Sequence, residues 1–184
     1  EGFMTRLDPF TRAVAMITSR GCPFSCIFCS ISLHMGKKIR AHSVESVLDH
    51  IDFLVKTYGI RHIYFEDDNL TMDMKRIYKL FKGLAEKGHG LTWSTPNAVR
   101  LDKLSRDILK VMKDSGCSSL TVAPESGDQE VLNNIIKKKM DLNVMVDVAG
   151  WCQEIGIPLN AFFLIGFPGE TKEKIRNTLN FARR

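Results

Sequence analysis

Short apolar and β-branched runs alternate with helical patterns along almost all of this chain, and no other feature restricts its fold as strongly. The runs lie at Val14–Thr18, His62–Phe65, Leu91–Ser94, Ser119–Ala123 and Leu159–Ile165, with the length and composition of buried strands. After the first run, Val44, Val47, Leu48, Ile51, Leu54, Val55 and Tyr58 share one helical face, with Ser43 placed to cap the start and Gly59 to end it. Further helices are expected over Met72–Lys87, Asp102–Ser115 and Leu142–Ile155, the last capped by Asp141. A short helix is expected around Gln129–Ile136 and a final one behind Thr171. Repeated βα units require parallel strands with right-handed crossovers, in an open doubly wound sheet or a curved, barrel-like one. A closed eight-unit barrel takes about 250 residues, so within 184 residues the barrel alternative is a partial (βα) TIM-like barrel of about five units.

In either architecture ligands gather at the C-terminal ends of the strands. The polar clusters fall there in turn: Cys22 to Cys29, then Glu66-Asp67-Asp68-Asn69, then Asn97 and Arg100, then Pro124-Glu125-Ser126-Gly127, then the Gly166-Phe167-Pro168-Gly169 turn. The first cluster has the spacing C-x3-C-x2-C and offers three thiolates without an obvious fourth. Three cysteines on a cubane iron–sulfur cluster leave one iron open to a small molecule, whereas an electron-transfer cluster normally has all four irons capped. The competing reading is a closed Cys3His zinc site completed by His34, although structural zinc sites usually come as paired two-ligand knuckles.

Composition narrows the function classes. An odd count of five cysteines, three of them within one loop, does not suit a secreted disulfide framework. The chain therefore reads as cytoplasmic, with the isolated Cys117 and Cys152 packed as small hydrophobes. Ala161–Phe167, the longest nearly unbroken apolar run, is far short of the roughly 18 residues that span a bilayer. The 26 basic and 21 acidic residues read as an interleaved, solvated surface apart from Lys137-Lys138-Lys139 and Arg183-Arg184, and no basic stripe carries interleaved aromatics. The balance points away from membrane and nucleic-acid partners and towards a small-molecule substrate.

Thr18-Ser19-Arg20-Gly21-Cys22-Pro23-Phe24-Ser25-Cys26-Ile27-Phe28-Cys29 resembles the signature loop of the radical S-adenosylmethionine (SAM) superfamily. Phe65 to Thr71, Gly116-Cys117, Pro124 to Gly127 and Gly166 to Thr171 resemble its cobalamin-associated subgroup. The resemblance implies that Cys22, Cys26 and Cys29 ligate a [4Fe-4S] cluster and that SAM chelates the remaining iron. It further implies reductive cleavage of SAM to a 5′-deoxyadenosyl radical that abstracts hydrogen from substrate. A reductant such as flavodoxin or ferredoxin is implied with it.

Phe28 matches the aromatic position that packs on adenine, and Asp67 and Asp68 replace the Gly-Gly-Glu that holds the SAM amine. Glu125 and Ser126 match the Glu-Ser-Gly that meets the methionyl or ribose part, Arg100 is a candidate for the SAM carboxylate, and the Gly166 to Thr171 turn flanks the adenine. The family core has six βα units and its cobalamin-associated members carry an upstream cobalamin-binding domain. Residues 1–184 are accordingly expected to be a core-domain fragment lacking the last unit and that domain, with cobalamin entering only through the absent domain. Methylation is the subgroup's best-known outcome. The alternatives are a radical SAM methylthiotransferase and a non-catalytic zinc or Fe-S module.

Overall fold

The computed structural model describes the backbone of residues 5–8 and, in full, residues 12–183. In chain order the strands are β1 (Thr5–Asp8), β2 (Ala13–Met16), β3 (Ser19–Arg20), β4 (Arg40–Ala41), β5 (His62–Phe65), β6 (Thr92–Ser94), β7 (Cys117–Glu125) and β8 (Leu159–Phe163). The helices are α1 (Ile31–His34), α2 (Val44–Tyr58), α3 (Met74–Lys87), α4 (Arg106–Asp114), α5 (Asn143–Ile155) and α6 (Lys172–Phe181). One sheet runs in the order β1-β2-β5-β6-β7-β8. From β2 to β8 every neighbour is parallel, as the βα alternation predicts. The sheet does not close into a barrel, so the fold is α/β with a partial TIM-like barrel. β1 was not legible in the sequence: it lies in what read as lead-in to the first strand, and pairs antiparallel with β2.

Alternation along the strands separates two faces. Val14, Met16, Ile63, Phe65, Trp93, Leu120 and Val122 enter the core beneath the helices. There Phe81 of α3 stacks on Trp93 with ring centroids 4.2 Å apart and planes at 3°, and Phe65 meets both rings edge-on. The Trp93 indole N–H donates to the Ser115 carbonyl at 3.1 Å, which satisfies the one polar atom of the stack. Cys117 and Cys152 are buried in this core, where burial pushes their thiols up to about 12 and about 11. The other face carries neutral polar groups: the His62 ring lies 2.7 Å from Thr92 Oγ1 and 3.0 Å from Ser94 Oγ, and edge-on to Tyr64.

The helices keep most of their expected bounds. Ser43 Oγ accepts from Ser46 N at 3.1 Å to cap α2, and Gly59 ends it in the left-handed conformation. α4 begins later than the expected Asp102: Leu101–Lys103 form a 3-10 turn, and Ser105 caps the helix through Ile108 N. Asp102 lies inside that turn, with its carboxylate 2.7 Å from Arg100 Nε. Asp141 does not cap α5, which starts behind Leu142; its Oδ1 accepts from Asn143 N in a local turn. The short helix near Gln129 is one π-helical turn, Val131–Ile135. No described helix is long and apolar enough to cross a membrane.

Candidate functional site

The cysteine loop leaves the sheet at the end of β2 and is clasped at its base. β3 and β4 pair across that base, His42 N donates to Thr18 O at 3.0 Å, and Cys22 N donates to Gly36 O at 3.2 Å. Gly21 sits at φ +95, where a Cβ would collide with the Lys38 carbonyl, so only glycine fits. Asp67, at the end of β5, holds the loop to the sheet. Its Oδ2 accepts from Thr18 N at 3.0 Å, and its Oδ1 from Thr18 Oγ1 at 2.7 Å and Ser19 Oγ at 2.5 Å. Burial raises the Asp67 carboxyl pKa, opposed by these hydrogen bonds and by Arg76. Arg76 ties the same corner together by donating to the Thr18 and His42 carbonyls, each at 3.2 Å.

Above this base a cavity of about 470 Å³ opens over the strand ends, and Cys22, Cys26 and Cys29 line it together. Among the described residues no three His, Cys, Asp or Glu side chains already converge as a metal cage, so the thiols share a wall without yet meeting. Burial pushes the Cys26 thiol up, while the Lys138 and Arg100 cations pull it back. His34 stands exposed on α1 and does not line the cavity, so the structure brings no histidine to the three cysteines.

The other expected site residues divide. Phe28 lines the cavity and faces Phe167 of the Gly-Pro-Gly turn, centroids 6.0 Å apart. Asp68 lines it too, its Oδ2 accepting from Gly21 N at 2.7 Å. Asp67 does not reach it, being committed to Thr18 and Ser19. Ser126 is fully buried away from it: its hydroxyl lies 3.0 Å from Thr178 Oγ1 on α6 and accepts from Asp128 N, so it docks that helix. Arg100 lines the cavity with its guanidinium already engaged. It pairs with Asp102, donates to the Lys138 carbonyl at 2.9 Å and covers the Phe24 ring at 3.7 Å.

Glu125 lines the cavity and is buried at φ +69, a left-handed conformation rare for a residue with a side chain. Its Oε1 accepts from Lys138 Nζ at 2.9 Å. Burial pushes Glu125 upward and Lys138 opposes it. Lys138, which the sequence marked only as the middle of a lysine run, is 8 % exposed and also donates to the Ala123 carbonyl. Its neighbours Lys137 and Lys139 both adopt positive φ and stay exposed, so two left-handed turns drive the middle lysine inward.

Asn69 is the other polar lining residue that the sequence placed on the rim without giving it a role. Its Nδ2 lies 3.6 Å from Cys22 Sγ, and its buried Oδ1 has no hydrogen-bond partner in the protein. Charge interleaving also fails near the loop: residues 9–44 contain no Asp or Glu, while Lys37, Lys38 and Arg40 stand exposed beside an 84 % exposed Leu33.

This chain is 34% identical to an uncharacterised methyltransferase of Pyrococcus horikoshii, over 92% of its own length and 36% of that protein's. It is equally 34% identical to the cytidylyl-2-hydroxyethylphosphonate methyltransferase of Streptomyces wedmorensis, covering 95% and 34%. It thus spans about a third of these relatives. In fold it resembles the radical SAM methyltransferase TsrM of Kitasatospora setae, with TM-score 0.85 and 18% identity over 95% of this chain and 34% of that one. It also resembles the cobalamin-dependent radical SAM enzyme OxsB, with TM-score 0.77 and 22% identity over 92% and 26%. The pattern that defines the radical SAM superfamily matches residues 16–182, and the chain belongs to that superfamily of enzymes, which work with a [4Fe-4S] cluster and SAM.

Proposed function

We propose that Cys22, Cys26 and Cys29 ligate three irons of a [4Fe-4S] cluster in this cavity and that SAM binds beside it. The cavity carries this reading: three soft thiol donors share it with the Asp68 carboxylate and Asn69 from the β5 rim, and with Lys138 paired to Glu125 at the end of β7. Acceptors at one rim and a cation at the other suit the ammonium and carboxylate of an α-amino acid. Held by Cys22, Cys26 and Cys29 and once reduced, such a cluster would supply the one electron that breaks the S–C5′ bond of SAM into methionine and a 5′-deoxyadenosyl radical able to take hydrogen from the substrate.

The chain's own residues orient and shield. Asp67 fixes the loop base without touching ligand. Lys138 uses two of its three donors on Ala123 and Glu125, leaving the third for the SAM carboxylate in place of the engaged Arg100. Phe28 and Phe167 offer ring surface to the adenine, and Phe162 and Leu164 form an apolar wall that keeps water from the reacting atoms. A small molecule is the substrate class, with methyl transfer as the outcome, and no residue here is assigned to cobalamin. The stretch 9–44, which carries Cys29 without any Asp or Glu and exposes Lys37, Lys38 and Arg40, suits an acidic electron donor of the flavodoxin or ferredoxin kind, and the free cysteines suit the reducing cytoplasm.

Anaerobic reconstitution followed by paramagnetic resonance of the reduced protein tests the reading. A cluster signal that shifts when SAM is added is the expected result. Uptake of one zinc without iron, or a cluster indifferent to SAM, would reject it.

A further inference from the structure

Arg100 is buried beside the cavity, and its backbone is fixed independently of its side chain. Its N–H donates to Thr71 Oγ1 and its carbonyl accepts from the same hydroxyl, each at 3.3 Å, while Val99 N next to it donates to Thr121 O at 2.9 Å. From that footing on the turn after β5 and on β7, the guanidinium reaches in two directions. It covers the Phe24 ring, with Cζ 3.7 Å from the ring centroid, and Phe24 stands between Cys22 and Cys26 in the loop. Its Nη2 donates to the Lys138 carbonyl at 2.9 Å and to the Lys139 carbonyl at 3.4 Å, and its Nε forms a close ion pair with Asp102. A planar guanidinium stacks through its face while it donates through its edge, which the single ammonium of lysine cannot do.

The 137–139 turn that Arg100 grips is strained. Lys137 and Lys139 both hold positive φ, and such backbone persists only where its surroundings over-determine it. On one side the turn is tied to the π-helical segment, Lys138 N to Leu132 O and Met140 N to Asn133 Oδ1, each at 3.0 Å. On the side of the cysteine loop, Ile136 O accepts from Ile27 N at 3.1 Å, and the carbonyls of Lys138 and Lys139 themselves are bound by Arg100. Building on the proposed ligation by Cys22, Cys26 and Cys29, we infer that Arg100 is a positioning residue that rivets the cysteine loop to the 137–139 turn, so that ordering the loop also sets the inward Lys138. Asp102 balances its charge and Phe24 covers its face, so Arg100 holds other groups in place instead of binding ligand. Metal held by Cys22 and Cys26 fixes the loop on both sides of Phe24, and Arg100 carries that order across the mouth of the cavity to the lysine. The coupling is reciprocal: whatever loosens the turn also frees Phe24.

Amide hydrogen exchange in the full-length protein tests the rivet, read at the Lys138 and Met140 amides of the turn. Two variants cut it from opposite sides. Phe24→Leu removes the ring and leaves every hydrogen bond of the turn in place, whereas Arg100→Lys keeps the cation and loses the fork. In metal-free protein each is expected to speed exchange at both amides by about tenfold, and the double variant is expected to go no faster than Arg100→Lys alone, because both substitutions break one connection. Effects that multiply in the double variant would make Phe24 and Arg100 independent packing contacts and overturn the inference. Turn amides unmoved in Phe24→Leu would overturn it as well, even if Arg100→Lys failed to fold. Iron–sulfur loading should slow the turn amides of the wild type by about tenfold and leave those of Arg100→Lys unchanged. Equal slowing in both would overturn the rivet, with Ile27 carrying the order to Ile136 instead. A wild type that takes up no cluster rejects the proposed function, while the metal-free comparison still decides the role of Arg100.

Discussion

On the helix-covered face of the sheet, Phe65, Phe81 and Trp93 pack ring against ring with their single polar atom satisfied. A few residues further along the same strands, the groups withdrawn from water are Asp67, Arg100, Glu125 and Lys138. Burial stabilises the first region directly, by removing apolar surface from water. In the second it is unfavourable unless each polar group finds a partner, and the pairings come with left-handed backbone at Glu125, Lys137 and Lys139. The core is built for stability, whereas the rim accepts a cost to hold charge and hydrogen-bonding groups beside the cysteines.

The largest effect should come from the core. Phe81→Ala removes a fully buried ring from the stack and is expected to lower unfolding stability by about 4 kcal/mol. The fraction still folded should load iron like the wild type, as denaturant titration and iron analysis will show. At the rim, Lys138→Met leaves Glu125 buried beside no cation and should cost about 3 kcal/mol. Adding Glu125→Gln to that variant should recover most of the loss, because removing both charges is cheaper than stranding one. No second substitution in the core would restore Phe81→Ala in this way, and SAM affinity should stay weak in the rim double variant. A rim double variant as unstable as the single one would erase the distinction between the regions.

Asp67→Asn tests the seam between them. The amide keeps one acceptor where the carboxylate receives three hydrogen bonds, so a stability loss of about 2 kcal/mol is expected. Iron content should fall more steeply than stability, since the loop base loosens while the sheet remains. Equal retention of iron would show that the clasp formed by β3 and β4 holds the loop without Asp67.

The core was legible in the sequence because periodicity reports it. Spacing of apolar residues placed the five parallel strands, the inward face of α2 and the stop at Gly59, and the same alternation put the polar clusters on one rim. What escaped depended on pairings between distant residues or on backbone that no local pattern announces. Lys138 drew no role from the sequence because nothing in three successive lysines marks two of them as left-handed. Asp102 read as a helix start because an acidic residue is common in a first helical turn, although it pairs with Arg100 only two residues back, and Ser126 carried nothing to say that it would meet Thr178 on α6. Asp67 and Asp68 are adjacent and alike in sequence, yet only Asp68 lines the cavity, a distinction set by the direction of the chain after β5. Asn69 had a faint signal, its place in the acidic rim cluster, but its unpartnered oxygen exists only in the folded chain.

The smallest effect is a pH dependence on the sheet's other face, which belongs to neither region. Thr92 Oγ1 also lies 3.4 Å from the Arg61 carbonyl and donates to it, so it is free to accept from His62 Nδ1–H, while the Ser94 hydroxyl can donate to Nε2 of the neutral ring. Burial lowers the His62 pKa and so favours that neutral ring. As pH falls through the ordinary imidazole value of about 6.5, the unfolded chain takes up a proton before the folded one does. His62's contribution is therefore fully present above that value, declines as pH drops through it, and levels off only below the folded pKa. His50, whose pKa burial lowers with a smaller part from His42, adds a slope of the same sign. Asp67 and Glu125, whose carboxyl pKa values burial raises, contribute slopes of the opposite sign, so the His62 part is read as a difference: between about pH 7.5 and 5 the denaturant midpoint of the wild type should fall relative to that of His62→Gln. The core variant Phe81→Ala should retain the wild-type slope, because it leaves His62 and the rim carboxylates in place, whereas the rim variants change it through Glu125. An unchanged slope in His62→Gln would move the titrating group elsewhere and remove the assignment of the neutral ring.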